Sequence, residues 1–487
     1  MILRFRLRNK NRKISLQLQD ILAGAVFAVF FAYLLFTGEP VYTGDTFQHE
    51  NQMIMREPGY ALLIQFLRFL SPKRHYWILI ALQNLLAAAA NTAVVVFMRR
   101  RFGLGMPGVC VFTGILLVPH IMTPMFSSTH LVLTNALMTE GILFSLYPLA
   151  FIQLLRAMWS GRPMGRESIC ALVGLFVLSL IRGQMMVLFV VWFLLMFVLT
   201  VIRGVQENEK MGERNNTFVL AENIGRQGLM AMIAAFIIVF AARSLVIHVY
   251  NYCEQGLFVD TASGTAMSFA NVLYVADRED GAAIEDDALR ALFYEMYDSA
   301  DADQMNYKYA PSGILGRAAH HEQCHDDLNF IYFAEPAKRY IGETKNIYPD
   351  RYQELMIAVD EVAGTLSAQL MPQVLGRYIL NYFSVAALGF VRTVAYEHPV
   401  LVWYVVFLYA AAVVLTLLLW RQSPQSRAAS FMAAVLLTIA GNVCATALMI
   451  QCISRYMIYN LPLFYMAGFL ELRDGVFRFM ERNKDGI

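Results

Sequence analysis

Residues 40–71 read PVYTGDTFQHENQMIMREPGYALLIQFLRFLS and decide how the rest of the chain is interpreted. The stretch begins polar and acidic, ends amphipathic, and separates two apolar segments that are each long enough to cross a bilayer. This character predicts short juxtamembrane helices whose apolar faces lie toward the lipid. We therefore expect residues 38–76 to form the first loop outside the membrane and to carry the functional site.

The composition predicts a polytopic membrane protein. Of the 487 residues, 58% are hydrophobic and 16% are charged, and apolar runs of about 20 residues, the length of a membrane span, recur along the chain. The basic residues flank these runs and do not form a stripe on a soluble face, so no nucleic-acid partner is indicated. Membrane lipids are the expected surroundings of most of the chain.

The distribution of arginine and lysine predicts about ten transmembrane helices with both termini in the cytoplasm. The fold class is all-α, with a small, mostly helical extracytoplasmic domain inserted between two transmembrane modules. Residues 203–228 are expected to form a cytoplasmic loop, residues 377–396 to lie at the interface or re-enter the membrane, and His398 to begin a span. The predicted parts are a basic N-terminus (1–20), a first transmembrane module (21–250), the soluble domain (251–376), a second module (377–471) and a cytoplasmic tail (472–487).

Asp45 is the first candidate for chemistry. It follows Gly44 shortly after the first apolar segment, at the membrane border, where ionisable residues mark substrate paths. The structural alternative is a helix N-cap, since an aspartate before TFQHENQMI can accept a hydrogen bond from a first-turn N–H. Glu39, Glu50 and Glu57 share the loop and compete for a catalytic role.

Arginines form the second group of candidates. Arg56 opens the motif REPGY, in which Pro58 suits the first turn of a helix, and Arg182 and Arg455 lie in outer turns that read IRGQ and SRYM. A guanidinium group matches two phosphate oxygens with its planar fork and keeps its charge at a membrane surface. For Arg56, contact with a lipid headgroup is an equal alternative to contact with a substrate phosphate.

Glu140 follows Thr139 in the apolar run LVLTNALMTEGILFSLY, which is predicted to be one helix. A carboxylate inside such a helix is costly and must face a cavity or a partner. Pairing with Arg182 and direct contact with a substrate both satisfy this requirement.

Taken together, these segments resemble the GT-C glycosyltransferases, which are polytopic enzymes that use sugars linked to lipid phosphates. The resemblance rests on four segments. GD followed by REPGYALLI is similar to the R-x-P-G-Y-P run of the family, and LMTEGILFSL is similar to its T-E helix. LIRGQMMVLF is similar to its Arg-turn-helix, and SRYMIYNLPLFYM is similar to its late R-Y span. It does not extend to residues 251–376, and Ala61 stands where many relatives have a second proline.

The resemblance implies an inverting transfer of a sugar from a polyprenyl-phosphate-linked donor to a glycan, protein or lipid acceptor. The active site would face the extracytoplasmic side of a membrane, expected to be a bacterial plasma membrane. Asp45 would be the general base, and Arg455, Arg182 and Arg56 would bind the donor phosphate. Further substrate contacts are implied for Glu140, Tyr60, Tyr456, His49 and Glu50.

Two points of this implied site leave alternatives open. For His49, a solvated surface histidine is the structural alternative to a substrate contact. Some relatives need a divalent metal, but Asp45 has no adjacent acidic partner in its loop. No cofactor is therefore expected, as in the protein O-mannosyltransferases and the lipid A aminoarabinose transferase.

A second motif points to a different class of protein. Residues 321–325 read HEQCH and fit H-E-x-x-H, which on a helix sets two imidazoles one turn apart for zinc. A membrane-embedded zinc metalloprotease with ligands His321 and His325 and base Glu322 is the rival hypothesis, with Glu343 or Glu335 as the third ligand. A further reading keeps both motifs, with the histidine cluster lining the acceptor groove or binding a structural metal. A transporter is disfavoured, because no matched pair of broken helices is present in the two halves.

Overall fold

The computed structural model describes residues 6–9, 12–15, 17–126, 130–211, 226–396 and 401–485. Within these ranges the chain is almost entirely helical, as predicted for an all-α polytopic membrane protein. The one sheet in the described ranges is an antiparallel hairpin of β1 (Arg6–Asn9) and β2 (Arg12–Ser15). Much of the predicted loop at residues 203–228, and His398, lie outside the described residues.

The first half of the chain has nine helices in the described ranges, two of which, α2 and α3, lie in the predicted first loop. In chain order they are α1 (Leu18–Thr37), α2 (Gly44–Glu50), α3 (Pro58–Leu70), α4 (His75–Phe102), α5 (Met106–Phe126), α6 (Glu140–Ser160), α7 (Arg166–Ile181), α8 (Val187–Met211) and α9 (Arg226–Gln255). Pro58 occupies the first turn of α3, as predicted, because its missing N–H costs nothing there. Gly103 and Gly161 end α4 and α6 in the left-handed conformation that favours glycine.

The middle of the chain forms a helical domain with its own hydrophobic core. Its helices are α10 (Gly264–Val275), α11 (Asp287–Ala302), α12 (Ile314–Asp327), α13 (Ala334–Lys345) and the first half of α14 (Tyr352–Ala395). A π-helical turn, Leu328–Phe333, follows α12 directly. The chain continues with α15 (Val402–Gln422), α16 (Arg427–Met449), the single turn α17 (Ser454–Met457) and α18 (Leu461–Asp485).

Nine helices in the described ranges are long and apolar enough to cross a membrane, namely α1, α4, α5, α6, α8, α9, α14, α15 and α16. The sequence predicts about ten, and two of the predicted spans, α7 and the apolar start of α18, are not among the nine. Residues 377–396, predicted to lie at the interface or re-enter the membrane, instead fall almost entirely in the second half of α14, a continuous helix of 44 residues. The predicted domain boundary at residue 376 therefore lies inside a helix.

α4 connects the two ends of the bundle. At one end Arg99 donates to both carboxylate oxygens of the fully buried Asp20, at 2.6 and 2.8 Å, which joins α4 to α1. At the other end the amide of Gln83 donates to the carbonyls of Thr134 and Ala136, at 2.9 and 3.0 Å. This second contact holds in place the segment that leads into α6.

Candidate functional site

Asp45 lies in the first turn of α2. The hydroxyl of Thr43 accepts a hydrogen bond from the N–H of Thr46 at 3.2 Å, so Thr43 caps this helix. The N-cap alternative for Asp45 is therefore wrong. The Asp45 carboxylate does not serve the helix end and faces outward with 21% of the side chain exposed.

Two contacts fix α2 against the start of α6. The buried hydroxyl of Thr46 donates to the carbonyl of Leu137 at 2.7 Å. Val41 pairs with Ala136 in a short parallel bridge. Together they place Asp45 beside the segment that begins α6, although the first loop is far from it in sequence.

Three arginines surround the Asp45 carboxylate. Arg56 contacts it directly, and Nη1 of Arg455 lies 3.9 Å from Oδ2. Burial raises the pKa of Asp45, but the charges of Arg56, Arg455 and Arg182 outweigh it and hold the pKa below its ordinary value. Asp45 is therefore ionised at neutral pH, which is the state that a general base requires.

The sequence predicts that Glu140 lies inside one helix over LVLTNALMTEGILFSLY, and this is wrong, because Glu140 is the first residue of α6. Its fully buried carboxylate lies 2.7 Å from Nη1 of Arg182 and 3.8 Å from Nε of Arg455. The predicted pairing of Glu140 with Arg182 is confirmed. A helix N-terminus also stabilises a negative charge, so the backbone and the two cations together compensate for the burial of this carboxylate.

Arg182 lies in the turn between α7 and α8, as predicted. Its Nε donates to Gln184 at 3.1 Å, and the amide of Gln184 donates to Asn442 of α16 at 2.8 Å and to the carbonyl of Tyr456 at 3.2 Å. The guanidinium carbons of Arg182 and Arg455 lie 4.4 and 5.0 Å from the centre of the Tyr456 ring. This aromatic ring and the Gln184 amide thus join the two predicted phosphate-binding arginines.

The glycine of REPGY allows α3 to pack closely against α7. A Cβ atom on Gly59 would lie 2.7 Å from the carbonyl oxygen of Leu180, closer than van der Waals contact permits. Arg56, just before α3, and Arg182, just after α7, line the same cavity. In the REPGY motif, Gly59 therefore serves helix packing and Arg56 supplies a charge.

Two adjoining cavities open at the arginine cluster. The Asp45 cavity, of about 300 Å³, is lined by Asp45, Arg56, Arg455 and residues of the helical domain. The Arg182 cavity, of about 450 Å³, is lined by Arg56, Arg182 and apolar side chains that include Met186, Val187 and Met449. The residues that line both cavities are Met55, Arg56, Ser263, Met267 and Tyr456.

Two of the other three acidic residues of the first loop have partners of their own. Glu50 accepts hydrogen bonds from the hydroxyls of Tyr76 and Tyr42, at 2.7 and 3.1 Å. Glu57 lies 3.3 Å from Nη2 of Arg243, a residue of α9. Glu39 is exposed. These contacts leave Asp45 as the loop carboxylate that meets Arg455.

Two of the predicted substrate contacts are buried beneath the site. Tyr60 is fully buried and its hydroxyl donates to Gln83 at 2.9 Å. His49 packs edge-on against the Tyr60 ring and borders the Arg182 cavity. The surface alternative for His49 is wrong, because only 1% of this residue is exposed, and burial lowers its pKa to about 3, so the imidazole is neutral.

The HEQCH motif lies on α12 and connects the helical domain to the bundle. Oε2 of Glu322 lies 2.7 Å from Nη1 of Arg392 on α14. Arg392 in turn donates to the carbonyl of Cys452 at 3.0 Å, just before the turn that carries Arg455. Glu322 therefore helps to hold the Arg455 turn through α14.

The two histidines of the motif are buried, with 1% and 2% exposed. Nε2 of His321 lies 2.8 Å from Oδ1 of Asn271, and burial lowers the pKa of His321 well below its ordinary value. Neither His321 nor His325 lines the two cavities. In the ranges that the structure describes, no group of three or more His, Cys, Asp or Glu side chains is arranged to hold a metal ion.

Asp326, directly after the motif, does line the Asp45 cavity. Its Oδ1 accepts a hydrogen bond from Gln451 at 2.8 Å and lies 3.3 Å from Nδ1 of His325. The hydrogen bond with His325 lowers the pKa of Asp326, so a second carboxylate is ionised in this cavity. Sequence reasoning missed Asp326 and Gln451, although both adjoin segments that it selected.

The site therefore combines the partly exposed carboxylate of Asp45, the second cavity carboxylate of Asp326, three arginines and two cavities. No protein-family model matches the chain, and no curated protein matches it by sequence.

Proposed function

We propose that the chain is an integral-membrane glycosyltransferase that moves a sugar from a polyprenyl-phosphate-linked donor to an extracytoplasmic glycan, protein or lipid acceptor. The observation that carries this proposal is the meeting of Asp45 with Arg56, Arg182 and Arg455, which come from separate parts of the chain. An ionised carboxylate beside several cations at a membrane border has the groups that transfer from a lipid phosphate requires.

In the proposed reaction, an acceptor hydroxyl oxygen attacks the anomeric carbon of the donor sugar on the face opposite the phosphate. Asp45 takes the hydroxyl proton as the new carbon–oxygen bond forms. The bond between the anomeric carbon and the phosphate oxygen breaks, and its electron pair remains on the phosphate. Arg455 and Arg182 stabilise the resulting negative charge, so the leaving group needs no protonated acid.

The two cavities suit the two substrates. The Arg182 cavity combines guanidinium groups with apolar side chains such as Met186 and Met449, which fits a phosphate attached to a hydrocarbon chain. The Asp45 cavity is bordered by the polar side chains of Asp326 and Gln451 from outside the first loop, which fits an acceptor rich in hydroxyl groups. We assign the donor to the former and the acceptor to the latter. Arg455 lines the Asp45 cavity, so in this assignment the donor phosphate lies where the two cavities adjoin.

Arg56 lines both cavities and contacts Asp45. A donor phosphate in the Arg182 cavity would compete with Asp45 for this guanidinium. When Arg56 turns toward the phosphate, Asp45 loses the largest of the charges that lower its pKa and becomes a stronger base. Donor binding would thus prepare Asp45 for the attack by the acceptor.

The rival hypothesis of a zinc metalloprotease requires Glu322 to face a water between His321 and His325. The Glu322 carboxylate instead pairs with Arg392. This contact favours transfer over proteolysis and makes Glu322 the natural residue for a comparative test.

The test compares Asp45→Asn with Glu322→Gln in proteoliposomes, with Glu39→Gln as a control from the same loop. Product formation is followed by mass spectrometry, using polyprenyl-phosphate sugars as donors and envelope fractions as acceptors, and zinc content is measured in parallel. Asp45→Asn is expected to lower transfer by about 10²–10⁴-fold, the usual contribution of a general base. Glu322→Gln is expected to stay within about tenfold of the unmodified chain, because Glu322 acts on the site only through Arg392, which lacks the proton-transfer role (about 10²–10⁴-fold) assigned to Asp45.

The opposite pattern would reject the proposal. If Asp45→Asn remains active while Glu322→Gln loses a zinc-dependent peptide cleavage, the chain is a protease. Thermal unfolding of each purified variant separates a lost reaction from a lost fold.

A further inference from the structure

A third cavity lies at the end of the bundle opposite the candidate site. It has a volume of about 650 Å³ and is lined by both basic and aromatic side chains. The lining residues are Phe97, Arg100, Arg101, Arg156, Trp159, Ser160 and Glu167. They come from the ends of α4 and α6 and from the first turn of α7.

The arginines of α4 divide into two groups. Arg99 and Arg100 lie within ion-pair distance of Asp20, at 2.6 and 3.8 Å. Among the residues with described side chains, no carboxylate pairs with Arg101 or with Arg156, which also borders the cavity. Glu167 also lines the cavity and offsets one of these two charges, so the lining keeps an excess of positive charge.

Arg101 is held in a specific position. Its guanidinium lies 4.8 Å from the centre of the Trp159 ring. Trp159 is fixed in turn by stacking with Phe97 and by a hydrogen bond from its indole N–H to Ser430, at 3.1 Å. The Nε atom of Arg101 is buried and has no hydrogen-bond partner among the described residues. A donor that is oriented, buried and unpaired in this way indicates a missing acceptor.

The distance along α6 places this cavity at the second membrane border. α6 runs from Glu140 at the candidate site to Ser160 at the cavity, which is 21 residues. At 1.5 Å per residue the helix is about 31 Å long, close to the thickness of a hydrocarbon core of about 30 Å. When the candidate site lies at one surface of the bilayer, the cavity lies at the level of the headgroups on the other.

We infer that this cavity binds the phosphate of an anionic phospholipid headgroup. Arg101 and Arg156 supply the charge and the planar donors that a phosphate accepts. Phe97 and Trp159 supply an apolar wall that can pack against the glycerol and acyl region of a lipid. The inference does not depend on the proposed transfer reaction, because none of its residues belongs to the candidate site.

The experiment uses the full chain in detergent and native mass spectrometry with dioctanoyl phosphatidylglycerol, dioctanoyl phosphatidylcholine and inorganic phosphate as separate probes. Arg101→Gln/Arg156→Gln is compared with Arg162→Gln/Arg166→Gln, which removes two exposed charges near the same end without touching the cavity. The cavity variant is expected to bind phosphatidylglycerol about tenfold or more weakly, since each basic residue near anionic lipid contributes about 1 kcal/mol. The control variant is expected to bind it as the unmodified chain does.

Three results would overturn the inference. Equal loss in both double variants would mean that charge alone, and no built site, attracts the lipid. Equal binding of phosphatidylcholine would mean that the anionic headgroup is not recognised. Binding of inorganic phosphate as tight as that of phosphatidylglycerol would make the ligand a free anion. Arg156→Gln alone, a change at an exposed residue, keeps the test valid if the double variant does not fold.

Discussion

Oδ2 of Asp45 lies 3.9 Å from Nη1 of Arg455, although one residue belongs to the first loop and the other to the turn before the last helix. On its other side, Arg455 lies 3.8 Å from the buried carboxylate of Glu140. Arg455 therefore stands between a partly exposed carboxylate and a buried one. Two ion-pair partners fix the direction of its guanidinium more closely than one would.

Loss of the Arg455 guanidinium is expected to impair transfer itself. Arg455→Gln should lower kcat by about 10²–10³-fold, the effect of removing a group aimed at developing negative charge. Arg455→Lys should recover part of the loss, because lysine keeps the charge without the planar fork. Steady-state assays at saturating donor measure both, with Arg68→Gln as a control at a half-exposed arginine that pairs with Glu50. Equal kcat values in all three variants would contradict the role assigned to Arg455.

The pH at which activity falls in acid should depend on the charge of Arg56. The pKa of Asp45 lies below its ordinary value of 3.8, since the charge of Arg56 and its neighbours outweighs burial. Activity that needs ionised Asp45 should therefore be constant above pH 3.8 and should fall only as the pH drops through the lowered pKa of Asp45 in the folded chain. The stability that Asp45 contributes is lost over the same pH range. Arg56→Gln removes the largest lowering charge, so the acid limb of kcat/KM should move to higher pH. An acid limb that does not move would show that Asp45 is not the group being titrated.

Gly59 should not tolerate a side chain. In Gly59→Ala the new Cβ would lie 2.7 Å from the Leu180 carbonyl, so α3 must move away from α7. We expect a loss of about 1–3 kcal/mol in the free energy of unfolding, typical of overpacking, together with reduced transfer as Arg56 shifts from Arg182. Gly114→Ala is the matched control, because a Cβ at Gly114 meets nothing within 4 Å. Denaturant unfolding in detergent measures both, and equal stabilities would refute the packing role.

The Glu140–Arg182 pair should behave as a coupled unit. Glu140→Gln leaves the Arg182 charge without its closest partner, and breaking a buried pair in this way costs about 3–5 kcal/mol. Replacing both residues, as in Glu140→Gln/Arg182→Met, should cost less than the sum of the single changes. Asp298→Asn, which breaks an exposed pair with Arg278, is the control and should cost far less than the change at the buried pair, because solvent screens exposed charges. A double-mutant cycle of unfolding free energies that shows no coupling would contradict this prediction.

Hydropathy and charge were sufficient to predict the class of the fold. Long apolar runs must become helices in a bilayer, because no water is available for the backbone groups. The residues at which helices begin and end, and which helices are long enough to span a membrane, were less predictable. α6 begins at Glu140 because residues 134–137 serve as hydrogen-bond partners of α2 and α4, and such long-range pairing is not visible in local patterns. α14 likewise crosses a boundary at which only the polarity of the sequence changes.

The charged residues that were selected from the sequence lie close together in the structure. Charge at a membrane border is costly and therefore informative, and the roles proposed for these residues stay predictions. The neutral polar residues were missed. Gln184 joins Arg182 to α16, and Gln451 holds Asp326, but a glutamine in a turn has no distinctive pattern. Arg243 was also missed, although a single arginine inside the apolar run of α9 was a usable signal of a buried partner, which is Glu57.

α14 is a member of both hydrophobic cores, through Leu366 and Leu370 in the helical domain and through Val385 and Val391 in the bundle. Its 44 residues make a rod about 66 Å long. Because a continuous helix cannot fray in its middle without exposing both cores, the helical domain and the bundle should melt together. We expect a single calorimetric transition in detergent, with no earlier transition for the helical domain, because α14 belongs to both cores.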